Sequence, residues 1–421
     1  MAVRFFCSPP KPLIFAIVLG VWCGGTFNAS ASVTSPAFYV SPTGSDSNNG
    51  QSVGSPFRTL EKAQAAMQNS TTKTTYLLSG TFARSSTLNL GTNDKGESWL
   101  GYPGDTAVLD GQLSTAEGIV IGGNNITVRW LTLQSFEQDG IYAAFVSGSV
   151  IDSNIIKDIH SNAFSEGAIV LNAAVSNVSV THNSIYNVGY SGIEVVNGNN
   201  QISNIVIEFN AITKTCQTKS DCGAIYADNP TYNASGVVIR NNVINDYGLQ
   251  TIANQSKGIY LDNELSNVTV ESNIVYGFGT YGLEIHGGDH NTFQNNIFDI
   301  TGAAGTLALY QYEGTGTMDH GMADNVFTCN IVYSSSSAAP SALWDYTILS
   351  SDSLPVVHSN VYWGAAQKDE ALGKIVDTAP IFGTEDFVNP GAGNYNFSSG
   401  PPTGCGFTVI DTSTVGPLPN S

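Results

Sequence analysis

Positive charge is scarce in this chain. Lys and Arg number 15 among 421 residues against 34 Asp and Glu, for a formal net charge of −19. Such a surface repels nucleic acid, anionic membranes and polyanionic glycans, whereas neutral ligands meet no such penalty. Long apolar runs are also missing, with one exception near the start. There Arg4 and Lys11 precede "LIFAIVLGVWCGG", too short to span a bilayer comfortably, and Ala29-Ser30-Ala31 offers a small-residue cleavage site. Residues 1–31 therefore read as a secretory signal, and the expectation is a secreted, extracellular protein that contacts neither membrane nor nucleic acid.

Cysteine is sparse as well. Of six, Cys7 and Cys23 lie in the signal, leaving Cys216, Cys222, Cys329 and Cys405. An even count in an exported chain favours disulfides, with Cys216–Cys222 closing a local loop and Cys329–Cys405 tying down the C-terminal region. A zinc site is the rival, but neither a CxxC nor paired histidines accompany them. Seven N-x-[ST] sequons follow the signal, at Asn69, Asn125, Asn177, Asn233, Asn254, Asn267 and Asn396. In a eukaryotic host they would be glycosylation acceptors.

What the chain has in abundance is repetition. A short alternating strand followed by Asn and an apolar residue recurs as "VIDSNII", "VSVTHNSI", "IVIEFNAI", "VVIRNNVI", "VTVESNIV", "NTFQNNIF", "VFTCNIV" and "VVHSNVY". The shared residues are Asn154, Asn183, Asn210, Asn242, Asn273, Asn296, Asn330 and Asn360. Period-2 alternation makes each copy a strand, and a strand with turns at this spacing is one coil of a solenoid. Asn tolerates left-handed backbone and can bond its own kind in the next coil, so an internal ladder at one corner is expected. The fold class is all-β, a right-handed parallel β-helix of about ten coils. Its parts are the signal at 1–31, an N-terminal strand and capping helix at 32–75, coils at 76–364, and a C-terminal cap and tail at 365–421. The helix is read from Phe57, Leu60, Ala63 and Met67 at helical spacing; caps cover the open sheet edges of a solenoid.

A second strand family runs between the first: "GIYAA", "AIVLN", "GIEVV", "AIYAD", "GIYLD", "GLEIH" and "TLALY", beginning at Gly140, Ala168, Gly192, Ala224, Gly258, Gly282 and Thr306. Their second and fourth residues are apolar and belong to the core, so the third and fifth point outward. The outward set is Glu194, Tyr226, Asp228, Tyr260, Asp262, Glu284, His286 and Tyr310. Stacked carboxylates destabilise a sheet unless something uses them, and tyrosines beside them offer platforms for sugar rings. The catalytic candidates are Asp228, Asp262, Glu284 and His286; the substrate-binding candidates are Glu194, Tyr226, Tyr260, Asp289 and Tyr310. Glu194 or Glu284 is the reserve partner should the pair act by inversion. His286 fits a hydrogen-bonding role as well as a proton-transfer one. Asp289 and His290 are expected on the rim, and Asp221 on a loop fixed by the Cys216–Cys222 bridge. Glu166, Glu313, Asp319 and His320 are weaker candidates.

"FYVSPTGSDSNNGQSVGSPFRTLEKA" resembles the opening of many secreted β-helix carbohydrate-active enzymes. "CGAIYAD", "GIYLDN" and "IHGGDHNTFQNNIF" resemble coils of glycoside hydrolase family 141 and related proteins. That resemblance implies a carbohydrate substrate, with Asp228 and Asp262 at the family's paired aspartates. Paired carboxylates with aromatic platforms suit glycoside hydrolysis of a poly- or oligosaccharide. The alternatives are a polysaccharide lyase or uronan C5-epimerase using Tyr, His and Asp, and a non-catalytic glycan-binding β-helix. A lyase needs Arg or Lys at its site, and the only basic residues nearby, Arg240 and Lys257, read as flanking. No cofactor or metal ligand set is expected, with a structural or bridging calcium left open, and the chain is expected to be a monomer.

Overall fold

The computed structural model describes residues 36–196, 201–229, 236–247, 256–277, 280–301, 306–311, 322–335, 342–348 and 353–420. The signal segment, Asn233, Asn254, Glu313, Asp319 and His320 lie outside them. The repeated runs form three parallel sheets of twelve, ten and twelve strands among the described residues. The first sheet runs from Phe38–Val40 to Val356–His358. The second runs from Leu88–Leu90 to Trp344–Thr347, and the third from Gly80–Ala83 to Ile381–Gly383. Each coil visits the first, third and second sheets in turn, which is the right-handed parallel β-helix. Twelve strands exceed the ten coils expected, because four strands of the first sheet precede Val150–Asp152, where the Asn repeat begins.

Inside, like side chains stack. Ile141, Ile169, Ile193, Ile225, Ile259 and Leu283 are in register on successive strands of the second sheet, and none is exposed. Burying each such side chain contributes about 1.5–3 kcal/mol.

All eight asparagines stack at the corner between the first and third sheets, fully buried. From Asn183 onward each Oδ1 accepts from the backbone N–H of the Asn one coil earlier, as in Asn183 N to Asn210 Oδ1 at 2.9 Å, while Asn154 Oδ1 accepts from Leu131 N. The left-handed conformation at this corner is not theirs, however. It belongs to the residue before each: Ser153, His182, Phe209, Asn241, Ser272, Asn295, Cys329 and Ser359, with φ between 50° and 59°. The asparagines act through their amides.

Leu60–Gln68 forms the expected helix, buries Leu60, Ala63 and Met67, and is capped by Thr59, whose hydroxyl accepts from Lys62 N. The C-terminal region does more than cap. A hairpin, Phe387–Asn389 with Asn394–Phe397, packs Phe387 and Tyr395 against Ile274, Ile297 and Ile331 on the outer side of the third sheet. The tail then runs back along the solenoid. Its anchors are the Cys329–Cys405 disulfide, Thr408 N to Asn295 Oδ1, Gly416 N to Phe209 O, Leu418 N to Ser153 Oγ, and Asn420 to Gly101 O. The other expected disulfide, Cys216–Cys222, is also formed.

Candidate active site

Glu194, Tyr226, Asp228, Tyr260, Asp262, Glu284 and His286 gather on the outward side of the second sheet, on strands Ser191–Val196, Cys222–Asp228, Ser256–Asp262 and Tyr281–His286. Parity along each strand decides who meets whom. Glu194, Tyr226, Tyr260 and Glu284 form one column in register, and Asp228 sits directly beside Asp262 in the next. Parallel neighbours in register stand about 4.8 Å apart at the backbone.

Outward does not mean exposed here. Every residue of Cys222–Asp228 and Ser256–Asp262 is buried on both parities. Tyr226 and Tyr260 are 8% and 3% exposed, their rings meeting edge to face at 5.0 Å. Truncating either to Ala therefore costs stability, about 3–5 kcal/mol, and does not leave the fold untouched as free-standing platforms would.

Asp262 is the best-supported group of the site. The Tyr226 hydroxyl donates to its Oδ2 at 2.7 Å, His286 Nδ1 meets its Oδ1 at 2.6 Å, and the Asn263 N–H donates to Oδ1 at 2.8 Å. Burial alone would raise its pKa, but the His286 and Tyr226 hydrogen bonds and the His286 charge outweigh burial and hold the carboxyl below its ordinary value. Asp228 accepts from Asn263 Nδ2 at 3.4 Å. Both tyrosine hydroxyls are pushed far above the ordinary phenol value, by burial first and by the Asp262 charge second.

Lys257 is a correction. It is 2% exposed and central, bonding Glu284 at 2.8 Å and Asp221 at 3.0 Å with its ammonium 4.0 Å from the Tyr260 ring centre. Strict alternation from Tyr260 would turn it inward. The strand bends at Gly258, where an added Cβ would strike Val275 in the core. Gly258 and Ile259 thus face inward in succession, and Lys257 emerges beside Tyr260. Arg240 does lie apart, on the first sheet with Glu208. Gln311 completes the Glu284 environment, donating to Oε1 at 2.7 Å.

Tyr310 is a second correction. It pairs with Ile285, not with His286, and lies in the core with its hydroxyl donating to Ser353 O. Leu309 takes the outward place. "TLALY" carries apolar residues on both parities, so alternation alone could not select the register. Asp289 lies a corner beyond His286, its N–H bonded to Ser266 Oγ and its carboxylate paired with the exposed His290. Asp221 comes from the loop closed by Cys216–Cys222 and reaches the site through Lys257. Glu166 braces its own loop by accepting from Asn162 and Ala163 N–H groups.

Toward the N-terminal coils lie two further buried carboxyls. Burial, together with neighbouring carboxylates, pushes Asp139 up to about 8 and Glu194 well above its ordinary value. A carboxyl that binds its proton more tightly folded than unfolded stabilises below its unfolded pKa, and that stability is lost as pH rises through the folded one. For Asp139 the window runs from about pH 4 to about pH 8. Thermal midpoints should fall across it, and Asp139→Asn should flatten the decline. Equal slopes for variant and parent would refute this assignment.

Residues 117–298 match the sequence profile of the right-handed β-helix region. No curated protein matches the chain by sequence. Among solved structures, the GH136 lacto-N-biosidase of Eubacterium ramulus aligns at 13% identity and TM-score 0.56, covering 83% of this chain and 68% of that one. A mannuronan C-5 epimerase A-module of Azotobacter vinelandii aligns at 14% and 0.53, covering 76% and 92%. At these identities the likeness is one of fold. Neither is a family 141 protein.

Proposed function

We propose that this right-handed parallel β-helix is a carbohydrate-active enzyme, a retaining glycoside hydrolase with Asp262 as nucleophile and Asp228 as acid/base. The observation that carries this is the Asp262 carboxylate, buried yet held ionised by three donors, with a second aspartate beside it in register. Two carboxyls this close do not ionise independently, and with Asp262 held ionised the acid/base role is assigned to Asp228. Their backbones, in register and about 4.8 Å apart, are nearer to the about 5–5.5 Å carboxyl separation of retaining enzymes than to the about 6.5–9.5 Å that admits an inverting water. In the first step Asp262 bonds to the anomeric carbon while the glycosidic C–O bond breaks and Asp228 gives its proton to the leaving oxygen. In the second, Asp228 takes a proton from water as the water oxygen displaces Asp262, regenerating both groups. The solved neighbours of like fold include a glycosidase and an epimerase, which is in keeping with a carbohydrate substrate.

The lyase or epimerase reading needs a free cation for the substrate carboxylate and a phenol ready to exchange a proton. Lys257 is bound by two carboxylates and both tyrosines are held neutral, which favours hydrolysis. The test is release of reducing ends from neutral polysaccharides without ultraviolet-absorbing unsaturated products; unsaturated ends from a polyuronate would overturn the reading. A finer test is Tyr226→Phe. It removes a donor to ionised Asp262, so the acid limb of kcat/KM should move to higher pH with the alkaline limb unchanged. An unmoved acid limb would contradict the nucleophile assignment.

A further inference from the structure

The second sheet continues past the catalytic strands toward the N-terminus, where an open groove of about 590 Å³ lies over Leu88–Leu90, Glu117–Ile121, Asp139–Ala144 and Gly167–Asn172. Its walls carry Asn89, Gln138, Tyr142 and Asn172, and Phe164 stands at its margin. Phe164 is 61% exposed, unusual for a large aromatic, yet its position is fixed on several sides. The Tyr190 ring meets it edge-on at 5.7 Å, and the Lys219 ammonium sits 4.2 Å from its centre. Lys219 belongs to the loop closed by Cys216–Cys222, and Tyr190 packs on that same disulfide while its hydroxyl donates to Asp221 O. Glu166 bonds two N–H groups of the Phe164 loop. The disulfide-closed loop thus braces Phe164 at the groove through Lys219 and sends Asp221 to Lys257 in the catalytic cluster.

We propose that this groove holds additional sugar units of an uncharged polysaccharide, with Phe164 as stacking platform and Tyr142 and Asn172 as hydroxyl partners, so that the enzyme acts within a polymer chain. The proposal rests on the hydrolase reading for the direction of the chain across the sheet. Three observations support it. The groove and the aspartate pair lie on one face of one sheet, with strand Ser191–Val196 between them. Its polar lining is chiefly amide and hydroxyl, suited to sugar hydroxyls, beside an exposed aromatic. Burial raises its most buried carboxyl, Asp139, to about 8, which lowers the charge of the floor, while the acidic Glu117 and Glu166 in its lining oppose a polyuronate.

The test is affinity electrophoresis in gels containing xylan, mannan or mixed-linkage glucan, with polygalacturonate as the charged comparison, on full-length protein carrying Asp262→Asn to prevent turnover. Retardation by at least one neutral polymer is expected. Phe164→Ala should weaken it about three- to ten-fold, Phe164→Trp should restore it, and a disaccharide of the bound polymer should bind all three proteins equally. The exposed position leaves melting unchanged, which circular dichroism checks. Unweakened binding in Phe164→Ala, equal weakening for the disaccharide, retardation by polygalacturonate alone, or none at all overturns the proposal. The hydrolase reading fails separately, if the protein with native Asp262 binds a polymer in this Phe164-dependent way yet releases no reducing ends.

Discussion

Asp262→Asn should lose at least about 10³-fold in turnover, and Asp228→Asn about 10²–10⁴-fold, with the fold retained in both. The two losses differ in kind. Asn at 262 is isosteric and can still accept from Tyr226, but it can neither attack the anomeric carbon nor balance a charged His286. Asn at 228 removes the proton donor of the first step and the base of the second. With good leaving groups kcat/KM, which reports the first step, should therefore stay closer to that of the unaltered enzyme while kcat falls. Assay of both variants on an aryl glycoside and on the natural glycan separates the roles. Comparable activity of both variants and the parent on both substrates would place the chemistry elsewhere.

The largest effect on stability should come from the Asn corner. Asn242 Oδ1 accepts from Asn210 N and Nδ2, while its own Nδ2 donates to Ile207 O, Arg240 O and Asn273 Oδ1. Asn242→Ala leaves the buried Asn210 N–H without its acceptor, takes the Asn242 amide donor from Ile207 O and Asn273 Oδ1, at about 1–3 kcal/mol for each group left unpaired, and opens a gap between coils. A loss of about 3–5 kcal/mol is expected, read as a large drop in denaturation midpoint without a change of catalytic pH profile. By contrast Asn263→Ala, at the site and outside the ladder, should change activity more than melting. A ladder variant that melts with the parent would show the corner to be replaceable.

The solenoid was legible because its signals are local and repeated: two-residue alternation, a fixed Asn, and an apolar ladder that only one register satisfies. The same parity placed Asp228, Asp262, Glu284 and His286 together. It failed where the strand departs from alternation. Lys257 was misplaced because Gly258 and Ile259 both face inward, and the glycine that opens four of these strands was not read as such a break in alternation. Tyr310 was misplaced because "TLALY" is apolar on both parities. The burial of Tyr226 and Tyr260 was not legible at all, since alternation reports which face a residue takes and not what covers that face. The returning tail left no trace in the periodicity for a similar reason. Its anchors are single hydrogen bonds to distant coils.

On the proposed mechanism, Asp262 attacks the anomeric carbon while Asp228 carries the proton. The most direct test is proton NMR of the first product released from a cleaved glycan, before mutarotation. Retention of anomeric configuration is the predicted result, because attack by Asp262 followed by water inverts the centre twice. Inversion would mean that water attacks directly, which removes Asp262 as nucleophile and requires a more distant carboxyl such as Glu194 or Glu284 as its partner.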